Sequence, residues 1–249
     1  MIELEICSNG IRSTQQAALG GANRVELCDN LGEGGTTPSI GTVEICTKIP
    51  KIEIWPILRP RGGDFLYLSE EKESMLRDVF YLKNLPIQGI VTGALLSNGE
   101  LDIAFLKDLM KEAEQLHWAF HRAVDLSRNP METVETLASL GFKRVLSSGG
   151  SNKAMDGIDL LKDLQNKVGH RIQIMPGSGI DETNVAKILK ETGCKHIHLS
   201  LRTSEKSEMT FQKEGVFMGK PDFGGEYSYQ RTDSERVKNI LSLTKNILT

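Results

Sequence analysis

Eight times along this chain a short strand-like run gives way to a turn and then to a stretch of helical periodicity, and this recurrence constrains the fold more than any single motif. The runs are Ile2–Cys7, Arg24–Cys28, Ile52–Arg59, Gly89–Gly93, His117–Arg122, Arg144–Ser148, Arg171–Met175 and His196–Ser200. Strands alternating with helices predict a parallel sheet, and eight such units predict an α/β chain closed as one TIM-like (β/α)8 barrel. All 249 residues are expected to form a single domain, 1–249, because this length is usual for one barrel. The competing fold, an open doubly wound sheet, loses its main support at the first turn, where Ser8-Asn9-Gly10-Ile11 stands in place of a glycine-rich dinucleotide fingerprint. No nucleotide cofactor is therefore expected.

Helix starts agree with this division. Thr37-Pro38 and Asn129-Pro130 each place a cap residue before a proline, Glu132 sits where a capping acid belongs, and Asp181 and Asp233 are further cap candidates. The spacing of Met75, Leu76, Val79 and Phe80, and of Val134, Leu137 and Ala138, predicts a core-facing stripe on each helix. One connection breaks the rhythm. Residues 201–232 separate the last strand from the last helix, a long loop expected over the barrel mouth, where it would act either in function or as a surface or dimer-contact insertion.

Charge narrows the choice of partner. A net charge of -3 with acids and bases interspersed gives neither nucleic acid nor an anionic membrane an electrostatic reason to bind, so a small molecule or an ion is the expected partner. No run approaches the apolar length of a membrane span, and the opening segment carries two carboxylates, which argues against a signal peptide. Cys7, Cys28, Cys46 and Cys194 form no close CxxC pair, so they read as free thiols in a reducing, cytoplasmic compartment.

Strand alternation sorts the side chains into two rows. Leu4, Ile6, Val25, Leu27, Ile54, Leu58, Trp118, Phe120, Ile197 and Leu199 suit the helix-facing side. That leaves a strongly polar lumen. Its lower layer holds Glu3, Arg24, Glu53, His117 and His196; its upper layer holds Glu5, Cys7, Glu26, Cys28, Arg59, His121 and His198. Buried charges need partners, so the lower layer reads as architecture. The upper layer, at the end where barrel loops gather, reads either as a site or as a charge network specifying packing. Arg59-Pro60-Arg61 offers two guanidinium forks for a carboxylate or phosphate, and Gly177-Ser178-Gly179 could add backbone donors to the same anion. Glu5, Glu26 and His121 are candidate proton-transfer groups, with Asp125 placed either to orient His121 or to bind a substrate hydroxyl.

Several of these segments carry a family resemblance. Glu5-Ile6-Cys7, Gly21-Ala22-Asn23-Arg24-Val25-Glu26-Leu27-Cys28, Glu33-Gly34-Gly35-Thr36-Thr37-Pro38-Ser39, Leu58-Arg59-Pro60-Arg61-Gly62-Gly63-Asp64-Phe65 and Phe120-His121-Arg122-Ala123-Val124-Asp125 resemble the CutC family. So do Val145-Leu146-Ser147-Ser148-Gly149-Gly150, Ile174-Met175-Pro176-Gly177-Ser178-Gly179 and Ile197-His198-Leu199-Ser200. The resemblance implies a TIM-like barrel, a cytoplasmic protein of copper homeostasis, and a homodimer. Cys7 and Cys28 match the family's cysteines at the ends of the first two strands, and their thiolates would suit Cu(I) in a linear or trigonal site completed by sulfur or by an imidazole such as His198. Two alternatives stay open beside copper: a lyase or isomerase acting on a small phosphorylated or carboxylated metabolite, and a non-catalytic structural or interaction protein.

Overall fold

The computed structural model describes residues 2–216, 218, 225–245 and 247. The strands are β1 (Glu3–Asn9), β2 (Arg24–Cys28), β3 (Glu53–Pro56), β4 (Gly89–Thr92), β5 (His117–Phe120), β6 (Arg144–Ser147), β7 (Gln173–Pro176) and β8 (His196–Leu199). Between and after them run α1 (Ile11–Gly20), α2 (Ile40–Cys46), α3 (Ser69–Leu82), α4 (Ile103–Glu112), α5 (Pro130–Leu140), α6 (Ile158–Val168), α7 (Val185–Thr192) and α8 (Ser234–Thr244).

Two parallel four-stranded ladders, β3-β2-β1-β8 and β4-β5-β6-β7, make up the wall. A parallel bridge between Ile57 and Val91 joins them on one side, where the Leu58 amide donates to the Val91 carbonyl at 2.7 Å. On the other side β7 and β8 meet by packing: a side chain at Gly177 would come within 3.2 Å of His198 Cβ and 2.5 Å of Leu146 Cδ1. Only glycine lets the backbone after β7 approach β8 that closely. The result is a (β/α)8 TIM-like barrel.

The alternation of side chains holds in three dimensions. Leu4, Ile6, Val25, Leu27, Ile54, Leu58, Trp118, Phe120, Ile197 and Leu199 join the main core between sheet and helices. Trp55, Val91 and Ala119 instead form a separate small cluster, the apolar part of the lumen. Below them lies an ion network. Arg24 donates from Nε to Glu5 and from Nη1 to Glu3, both at 2.7 Å, and the Arg144 guanidinium stacks 4.1 Å over Trp55. The lower layer is thus largely paired within the protein, which is how buried charges are tolerated.

Asn129 caps α5 by accepting from the Glu132 amide, with Pro130 in the first turn, and Asp233 caps α8. Two cap expectations are corrected. The cap of α2 is Ser39, because Thr37 is engaged with the backbone of Arg59 in both directions, and Asp181 accepts from Thr183 in the turn before α7. Phe80, expected in the core, is about half exposed under the Lys83 ammonium, while Met75 and Val79 are buried. The connection 201–232 is also more ordered than a loop. β9 (Arg202–Lys206) and β10 (Ser228–Thr232) pair antiparallel, and Asn9 and Ser13 tie this hairpin to the first βα unit. Residues 217 and 219–224 of that connection lie outside the described residues. Among the described residues no helix is long and apolar enough to cross a membrane.

Candidate metal and ligand site at the barrel mouth

Parallel register brings the first, second and eighth strands to one point. Glu5 lies opposite both Arg24 and His198, and Cys7 lies opposite Glu26. His198 Nδ1 meets Glu5 Oε1 at 2.8 Å, which leaves Nε2 toward Glu26 Oε2 at 3.7 Å. The donor atoms of Cys7, Glu26 and His198 all lie within 4.8 Å of one another. Cys28 directs its thiol to the Glu26 carbonyl at 3.8 Å, so it borders this trio without joining it.

The five groups of this cluster differ in their hold on a proton because each faces a different neighbour. Burial alone would raise Glu5, yet Arg24, His198 and Arg144 outweigh it and hold the carboxyl well below the usual range. Glu26 has no such arginine. Burial and the nearby charges of Cys7 and Glu5 push it up to about 8, against the pull of His198. The hydrogen bond from Cys28, aided by His198, brings Cys7 well below an ordinary thiol despite burial; the same bond raises Cys28. Burial disfavours the His198 cation, but its bonds to Cys7 and Glu5 and the charge of Glu26 raise it well above an ordinary imidazole. Cys7 is thus biased toward thiolate and His198 toward imidazolium, with Glu26 biased toward its protonated form next to them.

This cluster forms one wall of a cavity of about 370 Å³ at the C-terminal end of the strands. Leu31, Ile57, Phe65 and Leu146 give it apolar surface, and Arg59, His121, Arg122, Ser178 and Arg202 give it polar surface. His121 sits close against Gly93, where a side chain would come within 2.4 Å of the imidazole. Ser178 lines the cavity at a left-handed φ of 81°, but its hydroxyl donates to the Asn152 carbonyl at 2.7 Å.

Other candidates lie elsewhere. Arg61 is turned away from the cavity, with its donors on Glu71, Asp64 and the carbonyls of Gly62, Asp64 and Leu66, so its expected anion-binding role is corrected to holding the loop before α3. Asp125 accepts from the Ser147 and Ser148 hydroxyls, the Ser148 and Gly150 amides, and Arg122. It organises the turn after β6 instead of orienting His121. Gly177 spends its amide on the Ser147 carbonyl at 3.0 Å, and Gly179 packs on Lys153. The sequence reading passed over Arg122, Arg202 and Leu146. Leu146 was within reach of the alternation rule, since Val145 is the helix-facing residue of β6, whereas Arg202 reaches the mouth only through a strand that carries no apolar pattern.

A model described as the CutC family matches residues 2–203. The "Copper homeostasis protein cutC homolog" of Homo sapiens is 40% identical over 245 residues, 98% of this chain and 90% of the human one. A CutC family protein of Parabacteroides distasonis is 42% identical over 236 residues, 94% of this chain and 97% of its own. Among solved structures, a putative copper homeostasis protein CutC from Streptococcus agalactiae superposes with a TM-score of 0.75 at 33% identity, covering 80% of this chain and 98% of that one. A thiamine phosphate pyrophosphorylase from Pyrococcus furiosus superposes with a TM-score of 0.62 at 12% identity over 100% of this chain and 98% of that one, a likeness of fold.

Proposed function

The chain belongs to the CutC family, and on that premise we propose that it takes part in copper homeostasis by holding Cu(I) at the mouth of its barrel. The observation that carries this reading is the convergence of Cys7 Sγ, His198 Nε2 and Glu26 within 4.8 Å at the wall of a cavity. The donors fit a soft ion: a thiol already biased toward thiolate, an imidazole, and a second thiol, Cys28, alongside. Glu5 supports the site from behind, because a carboxylate on the far nitrogen of a ligating imidazole fixes its orientation and strengthens it as a donor. A bound Cu(I) would take the place of the proton on the His198 nitrogen that ligates it.

The test is a competition titration of reduced protein with Cu(I) against a chromogenic chelator. Wild type should bind one equivalent tightly, Cys7→Ser should release it to the chelator, and Cys28→Ser tells whether the second thiol ligates. Equal affinity in wild type and both variants would refute the site.

A second reading, lyase or isomerase chemistry on a small organic anion, is favoured by the hydrogen bond between Glu5 and His198, with Cys7 and Glu26 grouped beside that imidazole within 4.8 Å of one another. There Cys7, biased toward thiolate, would take a substrate proton and Glu26 would return one. A cytoplasmic location and a homodimer complete the proposal. Four free cysteines support the first, and static light scattering that gives twice the chain mass would support the second.

A further inference from the structure

The lining of the cavity also carries two buried donors that the copper reading does not use. Arg59 directs Nη1 to the carbonyls of Glu33 and Gly35, at 2.7 and 2.8 Å, and Nη2 to that of Gly63 at 2.8 Å. Its Nε is buried with no hydrogen-bond partner among the described residues. His121 accepts the Ala123 amide at Nδ1, 3.2 Å away, so in the neutral ring the proton sits on Nε2, and Nε2 is likewise buried without a partner. Both side chains line the cavity and both pack on Phe65, the Arg59 guanidinium at 5.1 Å and the His121 ring at 4.7 Å from its centre. A buried N–H group left without an acceptor keeps the cost of its lost hydration. Two of them on one wall of one cavity mark a place where ligand oxygen atoms would relieve that cost.

We infer that Arg59 and His121, held against Phe65, form a subsite for the carboxylate of a small organic acid whose remaining atoms extend across the apolar lining toward Cys7. The donors of the mouth choose carboxylate over phosphate. A phosphate needs many amides around it, and five glycine amides of the mouth are already engaged: Gly34 donates to Leu31, Gly35 to Asn30, Gly149 and Gly177 to Ser147, and Gly150 to Asp125. One of these, Gly177, opens the turn after β7, a frequent phosphate seat in barrels of this type. Two single N–H groups from a charged and a neutral side chain match the two oxygens of a monoanion instead. Burial and the Arg59 charge push His121 down to about 3, so its ring stays neutral and its donor stays fixed across the physiological range.

Neither Arg59 nor His121 belongs to the donor trio assigned to copper, so the two readings fail separately. The experiment is a titration of the whole, reduced protein, labelled with ¹⁵N-histidine, followed at the His121 Nε2 resonance. The probes are glycolate and inorganic phosphate at matched ionic strength. Glycolate should move the resonance saturably and phosphate should not. His121→Asn, whose side-chain oxygen can still accept the Ala123 amide, should weaken glycolate about tenfold, the loss of one hydrogen bond to a charged group, and leave Cu(I) affinity unchanged. If that variant does not fold, the wild-type resonance decides alone. An unresponsive His121, an equal response to phosphate, or unchanged glycolate binding in a folded His121→Asn would overturn the subsite.

Discussion

Glu5 and Glu26 are buried carboxyls on adjoining strands, and their neighbours set them apart. Glu26 faces His198, Cys7, Cys28 and Glu5 with no arginine at hand, and its folded-state value of about 8 lies above its ordinary value. A carboxyl raised on folding contributes stability that is fully present below the ordinary carboxylate range and is lost as pH climbs through the folded value. Wild type should therefore lose stability between about pH 5 and pH 8, and Glu26→Gln, which cannot ionise, should show a shallower decline in urea melts over that window. Parallel pH profiles would remove Glu26 from that role. Glu5 has the opposite sign, since its lowered value adds stability that disappears only in acid. Its main partner is Arg24, and Arg24→Met should cost about 3–5 kcal/mol by leaving a buried carboxylate short of its counter-charge. Chemical denaturation measures that loss directly.

At the scale of elements, the β/α rhythm was legible because apolar residues recur with the strand and helix periods, and each strand reports its lumen face by alternation. The upper cluster was legible for the same reason, since Glu5, Cys7, Glu26 and His198 all occupy the polar row of their strands. What escaped was whatever long polar side chains do after the strand has placed them. Whether a guanidinium such as that of Arg61 faces a ligand or a neighbouring glutamate depends on residues ten or more positions away. The hairpin of β9 and β10 escaped because Arg202-Thr203-Ser204-Glu205-Lys206 has no apolar row to announce a strand. Helix caps that are plain in sequence should also behave plainly: Asn129→Ala removes the oxygen that accepts the Glu132 amide and should destabilise the protein by about 1 kcal/mol in thermal or urea melts.

Over the whole molecule, the barrel wall is not equally strong all round. β1 has a hydrogen-bonded neighbour on each side, whereas β7 and β8 adjoin without a ladder between them among the described residues. Native-state hydrogen exchange should find the amides of β1 and β2 among the slowest, and those of β7 and β8 that face the seam exchanging first; uniform protection around the wall would contradict this. Glu5 stands where the two layers of the lumen meet, one oxygen on Arg24 of the floor and the other on His198 of the mouth. One carboxylate thus answers to two constituencies, and descent with modification cannot treat floor and mouth as separate traits. A lineage that replaces Arg24 or Arg144 retunes His198 without touching it, so inherited change at the closed end of the barrel becomes selectable through whatever is bound at the open one.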